Sequence, residues 1–289
     1  MHTTTVDQPG RLWFPPHLLP LAAALVAALA WTYWLVIPGL VAQWWNQPEY
    51  SHGFLVPIVS GYLAWSKRDV LRATAVGPGY WGLGLMAFAL VVHIAGNIGT
   101  DLFLQRVSLI LMVAGGLLYV TGWAMFRVLL FPLGFLLLMI PLPGLIFYSI
   151  AFPLQLLAAQ VASSVMEACG VPVFREGNVM HLAAASLDVE EACSGIRSLI
   201  SLTTLGVLYA YMFHSSWTPR VLVMLAVVPI AIAANVFRVS VTGLLAHYVS
   251  VDTALGVFHT AGGWSVFLIA AALLLGVSWL LHRVVGLAK

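Results

Sequence analysis

The chain has 289 residues, of which 62% are hydrophobic and only 8% are charged, and its mean hydropathy is +1.00. A soluble domain carries about 25% charged residues, so this composition excludes a water-soluble protein and indicates an integral membrane protein. The formal net charge of +2 is too small to indicate nucleic-acid binding. The sequence also contains neither a Walker-type phosphate loop nor an HExxH zinc motif.

Long apolar runs predict an all-α polytopic membrane protein that forms a single transmembrane domain over residues 1–289. Runs of about 17–25 residues match the thickness of the hydrocarbon core and favour helices over a β-barrel. About eight spans are predicted, near 18–40, 53–66, 80–98, 102–122, 124–141, 194–213, 220–238 and 262–282. One further run, 145–168, contains Pro153, Gln155 and Glu167 and is predicted to be an interfacial or re-entrant helix.

The distribution of basic residues predicts the orientation, because cytoplasmic loops are enriched in Lys and Arg. If both termini are cytoplasmic and 145–168 does not span, most of the basic residues face the cytoplasm: Arg11, Lys67, Arg68, Arg72, Arg127, Arg220, Arg283 and Lys289. If 145–168 does span, the last three of these residues move outside. We therefore expect the first orientation, which places Cys193, Arg197, Arg238 and His259 together at the outer ends of spans.

The main outer segment, residues 171–192, is predicted to contain a short β-hairpin. The stretches "VPVFR" and "VMHLAAASLDVE" flank the turn-like "EGN" at 176–178. Apolar and branched residues on both sides of a Gly-Asn turn are typical of two short antiparallel strands. This segment leads directly into Cys193.

The stretch "EACSGIRSL", residues 191–199, holds a group of reactive and charged side chains at the start of an apolar run. If the helix starts at Ser194, its free N–H groups and dipole stabilise a thiolate at Cys193. Arg197 is four residues further on, on the same helix face, and adds to this effect. Glu190 and Glu191 act in the opposite direction. The structural interpretation of Cys193 is a small buried residue.

A disulfide is the second structural interpretation. The chain has two cysteines, Cys169 and Cys193, and the expected orientation places both outside, where disulfides persist. A bridge across the hairpin would make Cys193 part of the framework of the protein and not of its chemistry.

Two further residues are candidates because of their position. Arg238 follows a long apolar run, and Asn235 lies on the same helix face three residues earlier. An arginine in a membrane segment is either an interfacial residue whose charge reaches the headgroups or a functional residue. His259 precedes the last span and could act as a base for a thiol, with His247 as its nearest competitor.

The stretch "WWNQPEYSHGFLVP", residues 44–57, is predicted to be an outer loop rich in aromatic residues. It holds Glu49, Tyr50 and His52. Its structural interpretation is an aromatic belt with a polar loop, and its functional interpretation is a wall of the substrate site.

The motifs "EACSGIRSL", "NVFRV" and "FHTAGGW", in this order, together with "EYSHGFLVP" nearer the N-terminus, resemble the exosortase/archaeosortase family over roughly residues 44–275. The resemblance implies a polytopic cysteine protease-transpeptidase. Its substrates would be membrane-anchored proteins with a C-terminal sorting signal, made of a Pro-Glu-Pro-like motif, one transmembrane helix and a basic tail. It also implies an inner (plasma) membrane location in bacteria, because the histidine of the bacterial branch is present.

The family's catalytic cysteine, arginine and histidine correspond to Cys193, Arg238 and His259. Supporting or substrate-binding roles are expected for Arg197, Asn235, Glu191, Ser194, His52, Glu49 and Tyr50. We expect no metal, no cofactor, no nucleic-acid partner and no extra soluble C-terminal domain. The alternative is a polytopic transport or envelope-assembly protein with a structural Cys169–Cys193 pair. A transporter would be expected to carry its charges at the bilayer midplane, often with an inverted repeat, and the sequence shows no such repeat.

Overall fold

The structure is a computed structural model that describes residues 18–183, 186–188 and 195–284. Within the last range it describes the backbone alone at 195–198, 255, 257–264, 282 and 284. The described residues are mostly helical. They belong to two compact units, one of Met1–Gln47 with Ser51–Pro141 and the other of Pro48–Tyr50 with Leu142–Lys289.

The first unit is built from helices that are apolar along most of their length. They are α1 (Leu19–Thr32), α2 (Val36–Asn46), α3 (Leu55–Ser66), α4 (Arg68–Ala73), α5 (Trp81–Ile98) and α6 (Leu102–Phe135). Helices α1 and α2 form one apolar pair bent by 62°. Two 3-10 helices, Pro48–Phe54 and Leu136–Met139, precede α3 and follow α6. Asp101 caps α6 by accepting hydrogen bonds from the N–H groups of Phe103 and Leu104.

Helix α6 folds back on itself at Gly122, whose φ of 84° lies in the region that favours glycine. Residues near the two ends of this segment contact neighbouring residues of α2. Arg106 donates a hydrogen bond to Gln43, and the indole of the next residue, Trp44, donates one to the Met139 carbonyl. A straight helix would separate residues 106 and 139 (139 − 106 = 33) by about 50 Å. The two arms of α6 therefore lie side by side, in agreement with the separate runs predicted at 102–122 and 124–141.

The interior of the first unit contains a chain of three polar side chains. The Tyr33 hydroxyl donates to Ser108 Oγ over 3.0 Å, and Ser108 Oγ lies 3.3 Å from His93 Nδ1. All three side chains are buried. Buried polar groups are stable when they satisfy one another, so this chain ties α1, α5 and α6 together.

The second unit contains five helices and a small sheet among its described residues. The helices are α7 (Gly144–Ala168), α8 (Gly195–Phe213), α9 (Trp217–Tyr248), α10 (Val251–Leu255) and α11 (Val257–Val284). The strands are β1 (Phe174–Glu176), β2 (Val179–His181) and β3 (Ser186–Asp188).

The sheet confirms the predicted hairpin and adds a strand to it. Strands β1 and β2 are antiparallel, with Glu176 opposite Val179, and Gly177 in the turn has a φ of 64°. Strand β3 pairs with β2 in antiparallel register, with Met180 opposite Leu187. Met180 and Leu187 belong to a buried cluster with Met166 of α7 and Val239 of α9. The sheet is therefore fixed to the C-terminal halves of two long helices.

Helix α7 contradicts the re-entrant alternative for residues 145–168, and the interfacial alternative stays a prediction. It is one continuous helix of 25 residues and is not broken into a re-entrant turn, although it contains Pro153. It is also long and apolar enough to cross a bilayer, as are Trp81–Ile98, Leu102–Met139 and Trp217–Tyr248. Within the described ranges these four spans become five if the bent pair α1–α2 counts as one span. The total of about eight stays a prediction.

Candidate functional site

Helix α9 carries two of the predicted site residues, Asn235 and Arg238, and it does not end where the sequence suggested. It continues to Tyr248, ten residues (248 − 238) or about 15 Å beyond Arg238. Arg238 is therefore inside a helix and not at its outer end. The extension is stable because its apolar face packs on the sheet and on α7, through Val239 and Leu244.

Both side chains are buried in the described structure. Asn235 and Arg238 are each only 6% exposed, and three residues of separation place them on one face of α9. The carbonyl of Arg238 accepts a hydrogen bond of 2.8 Å from Thr242 Oγ1. A buried guanidinium in a membrane helix is costly, and such residues are commonly functional. The structure thus excludes the interpretation of Arg238 as an exposed interfacial arginine.

The start of α8 lies at the level of Asn235. Helices α8 and α9 are joined by residues 214–216, and they pack in antiparallel orientation, with Gly206 close to Val227. The sequence separation between Gly195 and Phe213, at the two ends of α8, equals the separation between Trp217 and Asn235 on α9. Because all α-helices have the same rise per residue, Gly195 and Asn235 are at nearly the same height.

The first turn of α11 reaches the same level. Ser278 of α11 lies 3.2 Å from the His214 ring, beside the start of α9. The sequence separation between His259 and Ser278 on α11 equals the separation between Trp217 and Val236 on α9. The backbone at His259 is therefore level with Asn235 and Arg238, in the first turn of its helix and not before it.

The predicted nucleophile lies outside the described residues. Cys193, Ser194, Glu190 and Glu191 fall in the gap before α8, and at Arg197 the structure describes the backbone alone. Helix α8 begins at Gly195, within one residue of the predicted start. Its N-terminus is two residues after Cys193 in the chain, which is the arrangement that the sequence predicted.

A cavity in the second unit lies between α7, α8 and α9. Its volume is about 20 Å³, enough for one water molecule. It is lined by Ala151, Leu154, Gln155, Leu199, Ala231, Ile232 and Asn235. Gln155 is also only 6% exposed, so two buried carboxamides face one otherwise apolar space.

Sequence reasoning did not identify Gln155 as a site residue. The sequence shows only that Gln155 is a polar residue in an apolar run. Gln160 in the same helix has the same property, yet it is exposed. Only the packing of α7 against α8 and α9 separates the two glutamines.

The predicted aromatic wall is divided between the two units. His52 lies in the first unit, where its Nε2 is 3.2 Å from the Leu138 carbonyl oxygen. Glu49 and Tyr50 belong to the second unit. Tyr50 is buried, and its ring lies 6.2 Å from that of Phe147. The substrate-binding role of these three residues stays a prediction.

Cys169 bears on the alternative of a structural cysteine pair. It is exposed and forms no disulfide in the structure, and its carbonyl accepts a hydrogen bond of 2.8 Å from the Tyr248 hydroxyl. Cys193 lies outside the described residues, so the alternative of a structural Cys169–Cys193 pair stays a prediction. Among the described residues, no group of three or more His, Cys, Asp and Glu side chains could hold a metal ion.

Comparison with known proteins assigns the chain to a family. A sequence model described as transmembrane exosortase matches residues 44–276, which is most of the chain. The chain belongs to the transmembrane exosortase family. No curated protein and no solved structure matches it. The matched range of this exosortase contains Cys193, Arg238 and His259, together with both carboxamides of the cavity.

Proposed function

We propose that this exosortase is a membrane-embedded cysteine protease-transpeptidase that cleaves C-terminal sorting signals of exported proteins. The observation that supports this proposal most is the burial of Arg238 at the level where α8 begins and the first turn of α11 lies. The backbone of His259 lies at this level, and α8 begins there two residues after Cys193 in the chain, which supports a site that contains a thiol, a guanidinium and an imidazole. These are the groups needed for nucleophilic acyl transfer.

The reaction begins with His259, which takes the proton of the Cys193 thiol. The thiolate attacks the carbonyl carbon of the scissile peptide bond, and the carbonyl oxygen becomes an oxyanion. Arg238 donates hydrogen bonds to this oxyanion, an interaction worth about 2.7–4 kcal/mol per donor in comparable sites. The C–N bond then breaks, and the leaving nitrogen takes the proton from His259. A thioester on Cys193 remains.

The thioester is released by a second nucleophile. His259 takes a proton from water, or from an amine or hydroxyl of an envelope acceptor, as this nucleophile attacks the thioester carbonyl. The C–S bond breaks, and the Cys193 thiol is restored. The N-terminal part of the substrate leaves as a free acid or joined to the acceptor.

The proposed substrate is anchored in the membrane, which explains why the proposed catalytic residues belong to membrane helices. The membrane helix of the signal confines the scissile bond to a thin layer beside the outer ends of the enzyme's helices. Such confinement raises the effective concentration, to the mM range for short tethers. In the proposed orientation the sheet β1–β3 lies outside, and the part of the chain that the structure describes adds little other outer surface to bind a soluble peptide.

The proposal is tested by co-expression with a tagged protein that carries a candidate sorting signal. Wild type is expected to shorten the tagged protein, and Cys193→Ala is expected to leave it intact while inserting normally into the membrane. Cys169→Ala is the matched control, because Cys169 is an exposed free thiol, and it should process normally. Processing by Cys193→Ala at the wild-type rate would contradict the catalytic assignment.

The proposed location is the bacterial inner membrane with both termini cytoplasmic and the site outside. In a Cys169→Ser/Cys193→Ala background, Glu176→Cys and Asp252→Cys should react with an impermeant maleimide in intact cells. Arg72→Cys and Ser215→Cys should react only after permeabilisation. All four positions are exposed, so accessibility within the protein does not bias the result. Labelling of the second pair in intact cells would overturn the orientation.

A further inference from the structure

Two carboxamides line one cavity of the second unit, and neither forms a hydrogen bond within the part of the chain that the structure describes. Gln155 is on α7 and Asn235 is on α9, and each is nine-tenths or more buried. A buried amide without a partner destabilises a folded protein. In the hydrocarbon region no bulk water is present to satisfy it, so the cavity beside this pair has room for a hydrogen-bonding group of a ligand or for a water molecule.

The size of the cavity limits the ligand. A volume of about 20 Å³ admits one polar group and not a whole metabolite. The rest of the lining is aliphatic, including Leu154, Leu199 and Ile232. The cavity therefore suits a polar group that projects from an apolar segment, such as a peptide backbone group in a membrane helix.

The cavity lies close to the level at which the proposed reaction takes place. Leu199 is four residues (199 − 195), or about 6 Å, beyond the start of α8. Asn235 is one turn before Arg238 on α9. The cavity thus lies about one helical turn inward from the level assigned to Cys193. A substrate cleaved at that level would pass the cavity as it enters the bilayer.

We propose that Gln155 and Asn235 bind the start of the substrate's membrane helix. Their carboxamide oxygens accept a hydrogen bond from one N–H group of the first helical turn. The first four N–H groups of any helix have no partner within that helix, and in a bilayer they need one. This inference rests on the proposed function, because it takes the anchored sorting signal as the ligand. Binding the first turn fixes how far the scissile bond stands from the membrane.

The first test compares stability with binding in Gln155→Leu and Asn235→Leu. Because the free enzyme has no described partner for either amide, both substitutions should leave the Tm unchanged or higher. Both should weaken binding of a labelled sorting-signal peptide in detergent by about threefold to tenfold. The binding is measured in a Cys193→Ala background, so that cleavage does not enter the result.

Gln160→Leu is the matched control. It changes the same residue type in the same helix, but Gln160 is exposed and does not line the cavity. Its peptide affinity should stay within twofold of the parent. A drop in Tm for both cavity variants without a change in affinity would mean that the amides hold structural water only, and the inference would fall.

The second test uses proline in the substrate. Proline in the first turn of a helix removes an N–H group without breaking an intrahelical hydrogen bond. One such substitution in the signal should weaken binding to the parent enzyme by about threefold to tenfold. The same substitution should have no effect on binding to the Gln155→Leu/Asn235→Leu enzyme, because the acceptors are gone. An equal loss with both enzymes would overturn the inference.

Failure of the proposed function gives a different pattern. If wild type cleaves the signal and the cavity variants bind it as well as Gln160→Leu does, the inference is wrong and the protease assignment stands. If wild type is folded but neither cleaves nor binds any anchored signal, the proposed function is wrong, and the inference, which depends on it, is wrong as well.

Discussion

In the first unit Tyr33, Ser108 and His93 satisfy one another in the interior, whereas in the second unit Gln155 and Asn235 line a cavity without such partners in the described structure. The two sets are similarly buried. They differ in whether their hydrogen-bonding groups are used within the fold. Polar groups that hydrogen-bond to each other hold helices together. Polar groups that have no hydrogen-bond partner in the described structure are available to a substrate.

Each unit also contains a buried arginine among its described residues. Arg106 of the first unit is 4% exposed and donates to Gln43, which in turn donates to Gln47. Arg238 of the second unit is 6% exposed at the level of the proposed catalytic positions. We propose a folding role for Arg106 and a catalytic role for Arg238, and substitutions can test this division of roles.

The largest expected effect is on Arg238. Arg238→Ala should slow processing of an anchored signal at least a hundredfold, because a donor to the oxyanion is worth about 2.7–4 kcal/mol. Arg238→Lys should be nearly as slow, since an ammonium does not reproduce the planar fork of a guanidinium. Both rates are measured with purified enzyme and a full-length signal.

Arg106→Ala is the counterpart in the first unit. It should lower the free energy of unfolding by about 1.5–3 kcal/mol, because it removes a hydrogen bond from a charged donor. The processing rate per folded molecule should stay within twofold of wild type. If Arg106→Ala abolished turnover in a fully folded sample, or Arg238→Lys retained it, the division of roles between the units would be wrong.

Two glycines at helix contacts, one in each unit, give a second comparison of stability. An added Cβ at Gly82 would meet backbone atoms of Tyr119 and Gly115, which cannot move alone. An added Cβ at Gly243 would meet the Met166 side chain, which is flexible. Gly82→Ala should cost about 3 kcal/mol and Gly243→Ala about 1 kcal/mol, as measured by unfolding in mixed micelles. Equal costs would show that the α7–α9 contact is as rigid as the α5–α6 contact.

A modest effect is expected at Ser108, in the polar chain of the first unit. Ser108→Ala removes the acceptor of the Tyr33 hydroxyl and the neighbour of His93, so it should cost about 1–2 kcal/mol of stability. Ser66→Ala is the control, since Ser66 is exposed and bonds only within its own helix end; its cost should be below about 0.5 kcal/mol. Neither variant should alter kcat. A change in kcat for Ser108→Ala would give the first unit a role in the reaction.

The sequence predicted those features that depend on local pattern. Apolar runs located α5 and the two arms of α6, and the Gly-Asn turn located the hairpin β1–β2. Spacing alone placed Asn235 and Arg238 on one helix face. The family resemblance is confirmed by the match over residues 44–276.

Features that depend on packing were not predicted. The continuation of α9 past Arg238 follows from contacts with strands and α7, and "VSVTGLLAHY" carries no sign of those partners. Helix α7 was expected to be interfacial or re-entrant because it contains polar residues and a proline, yet it is one continuous helix with Gln155 and several alanines buried. Which of its glutamines faces the interior is decided by α8 and α9.

The central claim is that Cys193 forms a thioester with the sorting signal, and the most direct measurement is the mass of the enzyme after a brief reaction. Enzyme and full-length anchored signal are mixed, quenched in acid and digested for mass spectrometry, with Cys169→Ser as the matched thiol control. The account predicts an adduct of the N-terminal product on the peptide that contains Cys193. The adduct should be removed by hydroxylamine, present in Cys169→Ser and absent in Cys193→Ala. Cleavage of the signal with the adduct on another residue, or an equal rate in Cys193→Ala, would contradict it.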